Sequence, residues 1–145
     1  MWRRLQTKDI LVKYGIGIDD VCPLCQLTTE TVEHLFFRCP YSHMCFRALC
    51  KKIDHSITVS SLSEFSSWIS KPVRGRTRSQ VLQCCFVNLI YHIWPQCNST
   101  IWKKVIMLLD KLVDVVRSQC YWRIVGVLPS KTSQRDRDWI STILN

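Results

Sequence analysis

Apolar positions recur at three- and four-residue spacing along most of the chain, and that period belongs to helices. Thr7 suits a helix start, Ile10, Leu11 and Tyr14 share the face that follows, and Gly15 suits the end. Residues 16–31 lose the period and read as a turn-rich loop. Thr31 fits the cap of a helical turn carrying His34, Leu35 and Phe36. Pro40 fits a first helical position, and the helix it opens places Tyr41, Met44, Cys45, Ala48, Leu49 and Ile53 on one side. Ser61 and Glu64 have capping-box spacing ahead of Phe65, Trp68 and Ile69. From Ser79, a stripe of Leu82, Cys85, Phe86, Leu89 and Ile93 predicts a long helix, which Pro95 is expected to kink or end. A further helix is expected from about Ser99, with Ile101, Val105, Leu108, Leu109, Leu112 and Val116 at helical spacing. A last turn or two falls around Trp139, Ile140 and Ile143, and residues 124–128 carry a faint strand signal.

Composition supports a folded chain. Hydrophobic residues make up 47% of the 145 and charged ones 21%, with six tryptophans, a content that disordered segments lack. No run of eighteen apolar residues occurs, so no membrane span is expected. Nine cysteines cannot all pair within one chain, and residues 1–20 show no uninterrupted apolar signal segment. A reducing intracellular setting, nuclear or cytoplasmic, is the expectation.

The net charge of +9 is unevenly placed. Residues 1–39 balance Arg3, Arg4, Lys8, Lys13 and Arg38 against Asp9, Asp19, Asp20, Glu30 and Glu33. The whole excess lies in residues 40–145, and a basic body favours contact with phosphates. A surface kept soluble by one sign of charge is the plainer reading of the same pattern.

The loop carries the chemistry. Cys22 and Cys25 are separated by two residues, with Pro23 to preset the turn, and His34 and Cys39 follow. Three thiolates and an imidazole suit tetrahedral zinc, and four protein ligands leave no open position, so the site reads as structural. Spacing alone also allows Cys22, Cys25, Cys39 and His43. Cys45 sits in the apolar stripe after Pro40 and reads as core, while Cys50, Cys84, Cys85, Cys97 and Cys120 lack partners at ligand spacing and read as core or surface thiols. Asp19-Asp20 reads as loop solvation rather than as a polymerase carboxylate pair.

Residues 4–11 (Arg-Leu-Gln-Thr-Lys-Asp-Ile-Leu), Cys22-Pro23-Leu24-Cys25, and residues 30–40 (Glu-Thr-Val-Glu-His-Leu-Phe-Phe-Arg-Cys-Pro) resemble the zinc-binding domain that follows the reverse transcriptase in plant non-LTR (LINE-type) retroelements. The likeness extends loosely to Tyr91-His92-Ile93-Trp94 and to the tail around Arg135 and Trp139. It implies Cys22, Cys25, His34 and Cys39 as the ligands, and so favours His34 over His43.

The expected architecture is mainly α: a small Cys-Cys-His-Cys zinc-knuckle subdomain followed by a helical remainder. Residues 1–70 would form the zinc-binding module with flanking helices, 71–78 a basic connector, and 79–145 the helical region. Zinc is the expected cofactor. The leading functional expectation is a non-catalytic module derived from a retroelement protein that binds RNA or DNA nonspecifically. Arg74, Arg76 and Arg78 on the connector, with Lys103 and Lys104 downstream, are the candidate contacts. Trp94 and Trp102 could stack bases but read as core. A zinc-dependent protein-interaction module and a relic without selected activity are the alternatives. An enzyme has little support: His92 lies in an apolar run and no carboxylate constellation or glycine-rich phosphate loop accompanies it.

Overall fold

A computed structural model describes residues 5–16, 19–71 and 76–145, apart from the Trp102 side chain. Six α-helices follow in order: α1 (Lys8–Lys13), α2 (Pro40–Lys52), α3 (Leu62–Ser70), α4 (Arg76–Lys103), α5 (Leu109–Val127) and α6 (Gln134–Leu144), with a π-helical turn at His34–Arg38 just ahead of α2. Among the described residues the one β pairing is an isolated antiparallel bridge between Val21 and Thr29. The chain is therefore mostly helical, with the zinc knuckle near its N-terminus followed by helices.

Local signals set most of the boundaries. Thr7 occupies the N-cap of α1, and Gly15 follows the helix at φ 72°, the left-handed conformation glycine tolerates best. The Thr7 hydroxyl donates to the Asp9 carboxylate rather than capping a backbone amide. Pro40 opens α2 with Cys39 as N-cap. The Ser61 hydroxyl accepts the Glu64 N–H at 3.1 Å, and the Glu64 carboxylate reaches back to the Ser60 N–H at 2.7 Å. Ser133 caps α6 in the same manner through Asp136.

The core forms where α4 and α5 run antiparallel, as the contacts Cys84–Cys120 and Asn88–Val116 show. Leu82, Cys85, Phe86, Leu89 and Ile93 of α4 are all buried, as the stripe predicted. They meet Leu112, Val113 and Val116 of α5, each 0% exposed. Burying each such large aliphatic side chain stabilises the fold by about 1.5–3 kcal/mol. Tyr41, Cys45 and Leu49 of α2 join this core, whereas Met44, expected on the same side, is 48% exposed. Buried Asn88 is satisfied by the Val116 carbonyl at 3.3 Å and by the Cys120 sulfur. Two partners hold α6 in place: Arg78 pairs with Asp136 at 2.9 Å, and Arg117 donates to the Ile143 carbonyl at 2.9 Å.

Three expectations are corrected. Helix α4 does not end at Pro95 but continues to Lys103. Proline removes the donor for the carbonyl four residues back and clashes with it. Pro95 and Tyr91 both face solvent, so water can serve that carbonyl while the opposite face stays buried. The chain instead breaks at residues 104–108, where Lys104 turns to φ 52°, and α5 begins at Leu109. Val105 and Leu108, expected in a helix from Ser99, are exposed and non-helical. Residues 124–127, the faint strand, are the last turn of α5.

The break is fixed by contacts from elsewhere. The Tyr41 hydroxyl donates to the Met107 carbonyl at 3.0 Å, and the Met107 N–H donates to Gln96 Oε1 at 3.1 Å. Helix α2, whose N-cap is Cys39, is thereby tied to the α4–α5 connection.

Candidate metal centre

The loop ahead of the π-turn folds back on itself. The Cys22 N–H donates to the Thr28 carbonyl and the Gln26 N–H to the Cys22 carbonyl, both at 2.8 Å. Gln26 adopts φ 56° to close the knuckle. Asp19 and Asp20 do more than solvate the loop. Asp19 accepts the Val21 N–H at 3.1 Å and pairs with Lys8 at 2.6 Å, and Asp20 accepts the Thr29 hydroxyl at 3.1 Å. The hydrogen bond from Lys8 holds the Asp19 carboxyl below the usual carboxylate range.

His34 and Cys39 come from one turn of unusual geometry. The Thr31 hydroxyl accepts the His34 N–H at 3.0 Å, so Thr31 caps the turn as its position suggested. The Cys39 N–H then donates to the His34 carbonyl at 2.7 Å. In an α-helix, residues five apart point about 140° away from each other. Widening the turn to an i→i+5 bond carries the fifth residue back over the first. A spacing of five can therefore supply two ligands to one ion.

Cys22, Cys25, His34 and Cys39 converge, with one ligand atom from each lying within 4.8 Å of the others. Cys25 Sγ is 3.3 Å from His34 Nε2. Tetrahedral zinc with ordinary Zn–S and Zn–N bonds separates such a pair by about 3.5 Å. Cys22 and Cys39 are fully buried, His34 is 8% exposed and Cys25 is half-buried, so three of the four are shielded from water. A hydrogen bond from the Cys22 thiol holds the Cys39 thiol below its ordinary range, and the same contact raises Cys22. Metal binding takes the protons from both. The donor set and the spacing fit zinc, and four protein donors complete its coordination. His43 is exposed on α2 and lies outside the cluster.

Residues 1–46 match the family model described as zinc-binding in reverse transcriptase. That stretch contains all four residues of the cluster, the π-turn and the start of α2, and makes up about a third of the chain. No curated protein and no solved structure matches the chain.

The basic residues singled out from the sequence are not brought together. Arg76 is exposed at the start of α4, and Lys103 and Lys104 are exposed at its far end. The 28 residues of α4 span about 40 Å at 1.5 Å per residue. Arg78 donates to Asp136 at 2.9 Å and lies over the Trp139 ring at 4.9 Å. Arg74 and the Trp102 side chain fall outside the described residues. Trp94 is half-buried against the core, and His92 bonds Gln119 at 2.8 Å. Among the described residues no helix is long and apolar enough to cross a membrane.

Sequence reasoning missed the π-turn and the role of Asp19-Asp20. The spacing of five between His34 and Cys39 was the available signal for the first, since a regular α-helical turn points residues five apart about 140° away from each other.

Proposed function

We propose that this chain is a zinc-stabilised, non-catalytic module, derived from a retroelement reverse transcriptase protein, that binds RNA or DNA without sequence preference. The observation that carries the reading is the closed Cys22–Cys25–His34–Cys39 cluster lying inside the stretch matched to zinc-binding in reverse transcriptase. Resemblance to the plant LINE-type elements supports the origin. The excess of fifteen Lys/Arg over six Asp/Glu in residues 40–145 supports the ligand class. Arg74, Arg76, Arg78, Lys103 and Lys104 remain the candidate contacts taken from the sequence, with Arg78 also committed to Asp136. Thiol ligands and unpaired cysteines suit a reducing compartment, the nucleus or the cytoplasm.

The test is equilibrium binding of labelled RNA and DNA across a salt series. Affinity that falls steeply and log-linearly with salt, with little dependence on sequence, supports the reading. A second reading, a protein-interaction module, is favoured by Tyr91 and Trp122, which are 70% and 71% exposed. Its mark is a protein partner retained at high salt while nucleic-acid binding is absent.

A further inference from the structure

Exposed basic side chains run along one side of α2. His43, Arg47 and Lys51 are spaced four apart and all are exposed. Residues at that spacing stand about 5–6 Å apart on a helix. Among the described residues neither Arg47 nor Lys51 has an ion-pair partner, whereas Lys52 on the neighbouring face pairs with Asp114. Beside the row lies a groove of about 420 Å³. His43, Phe46 and Arg47 of α2 line it together with the chain from Ser56 to Ser60, and Phe36 and Phe37 complete the lining.

The Ser56–Ser60 wall is irregular chain outside any helix or sheet. Ser56, Thr58 and Ser60 are exposed, while Ile57 and Val59 between them are half-buried. The main-chain N–H groups of Ser56, Thr58 and Val59 have no hydrogen-bond partner among the described residues. The nearby Glu64 carboxylate is occupied at Ser60, where it accepts both the N–H and the hydroxyl. The groove therefore offers Arg47 on one side, with Lys51 one turn beyond it, unspent donors on the other and aromatic side chains in its lining. Phe46 is itself stacked on Phe86 at 5.9 Å.

We propose that this groove is the seat of single-stranded nucleic acid, with the phosphates on Arg47 and Lys51 and a base set against the Ser56–Ser60 wall. The inference rests on the nucleic-acid reading above and gives it a place in the fold. A positively charged groove lined in part by aromatic side chains is an arrangement that holds unpaired strands. A duplex keeps its base faces stacked and its pairing edges occupied, so it cannot use the aromatic lining or the free main-chain donors.

The experiment uses the full zinc-loaded chain and a fluorescein-labelled oligothymidylate, with a labelled duplex as comparison. Variants are Arg47→Gln/Lys51→Gln and, as an equal loss of charge elsewhere, Lys111→Gln/Lys131→Gln. Bound zinc and helical circular dichroism report on folding. The expected result is a loss of about tenfold in affinity for the first pair only, with a salt slope shallower by about 1.4, the share of two phosphate contacts on a single strand. Wild-type binding that both pairs weaken equally, or that favours duplex, overturns the groove and leaves the general reading standing. Absence of any nucleic-acid binding by the wild type overturns both.

Discussion

The Cys97 thiol donates to the Glu30 carboxylate at 2.9 Å, joining α4 to the zinc loop across 67 residues of chain. Both side chains are 1% exposed. Glu30 also accepts the Lys8 N–H at 3.2 Å at the start of α1. Burial pushes the Glu30 carboxyl above its ordinary 4.5, and hydrogen bonds from Cys97 and Lys8 offset part of that rise. A carboxyl raised by folding stabilises the native state fully below its unfolded pKa. That contribution is lost as pH rises through the folded value. Glu30→Gln removes the titrating group, so wild-type stability relative to Glu30→Gln should fall as pH is raised from 4.5 towards neutrality. Urea unfolding of both proteins with zinc bound reads this difference, and a wild type that gains on the variant over that range contradicts it.

Pro95 lies inside α4, where it leaves the Tyr91 carbonyl without its helical donor. An interior proline costs about 3 kcal/mol, and restoring conformational freedom to the unfolded chain returns about 0.4–1 kcal/mol of that. Pro95→Ala should therefore stabilise the protein by about 2 kcal/mol. Unfolding in urea, with the slope unchanged, is the measurement.

Tyr41 and Gln96 hold opposite sides of the Met107 peptide at 3.0 and 3.1 Å. Tyr41→Phe keeps the buried ring and deletes only the donor to the Met107 carbonyl. A cost of about 1 kcal/mol is expected. Hydrogen exchange should rise first at residues 104–108, because nothing in that stretch is helical.

Removal of zinc should loosen the N-terminal third before the α4–α5 core. Cys39 belongs to the metal-binding cluster and is also the N-cap of α2, so losing the metal should fray that helix from its start. His34→Ala should bind less than a tenth of the wild-type zinc, while His43→Ala should keep full occupancy, as elemental analysis of purified protein would show.

A chelator experiment separates the two halves of the core. Leu89 of α4 and Leu112 of α5 are each 0% exposed in the core where these two helices pack, away from the zinc loop in sequence. Helical circular dichroism should therefore fall only in part when zinc is stripped under reducing conditions. Complete loss would mean that α4 and α5 depend on the metal for their fold.

The helices with clear caps were legible because a cap is a local event. Thr7, Pro40, Ser61 and Ser133 all lie at helix starts. The first three were readable within four residues of chain. The ligand set was legible in part for the same reason, since Cys22 and Cys25 fold one tight turn. Spacing alone left His34 and His43 level, and the resemblance favoured His34. The structure brings His34 into the cluster through the i→i+5 bond at Cys39.

The sequence by itself determined that the chain is helical, where most helices start, and which residue types could hold zinc. Each of these follows from side chains within a turn or two of one another. Only the tertiary structure decided that α4 passes through Pro95 and breaks at 104–108, that Met44 faces water, and that Arg78 pairs with Asp136. Those outcomes depend on which face of a helix meets solvent and on partners dozens of residues away. A missing hydrogen bond is tolerated where water can replace it, and a turn is fixed where a distant Tyr41 and Gln96 supply what the local chain does not.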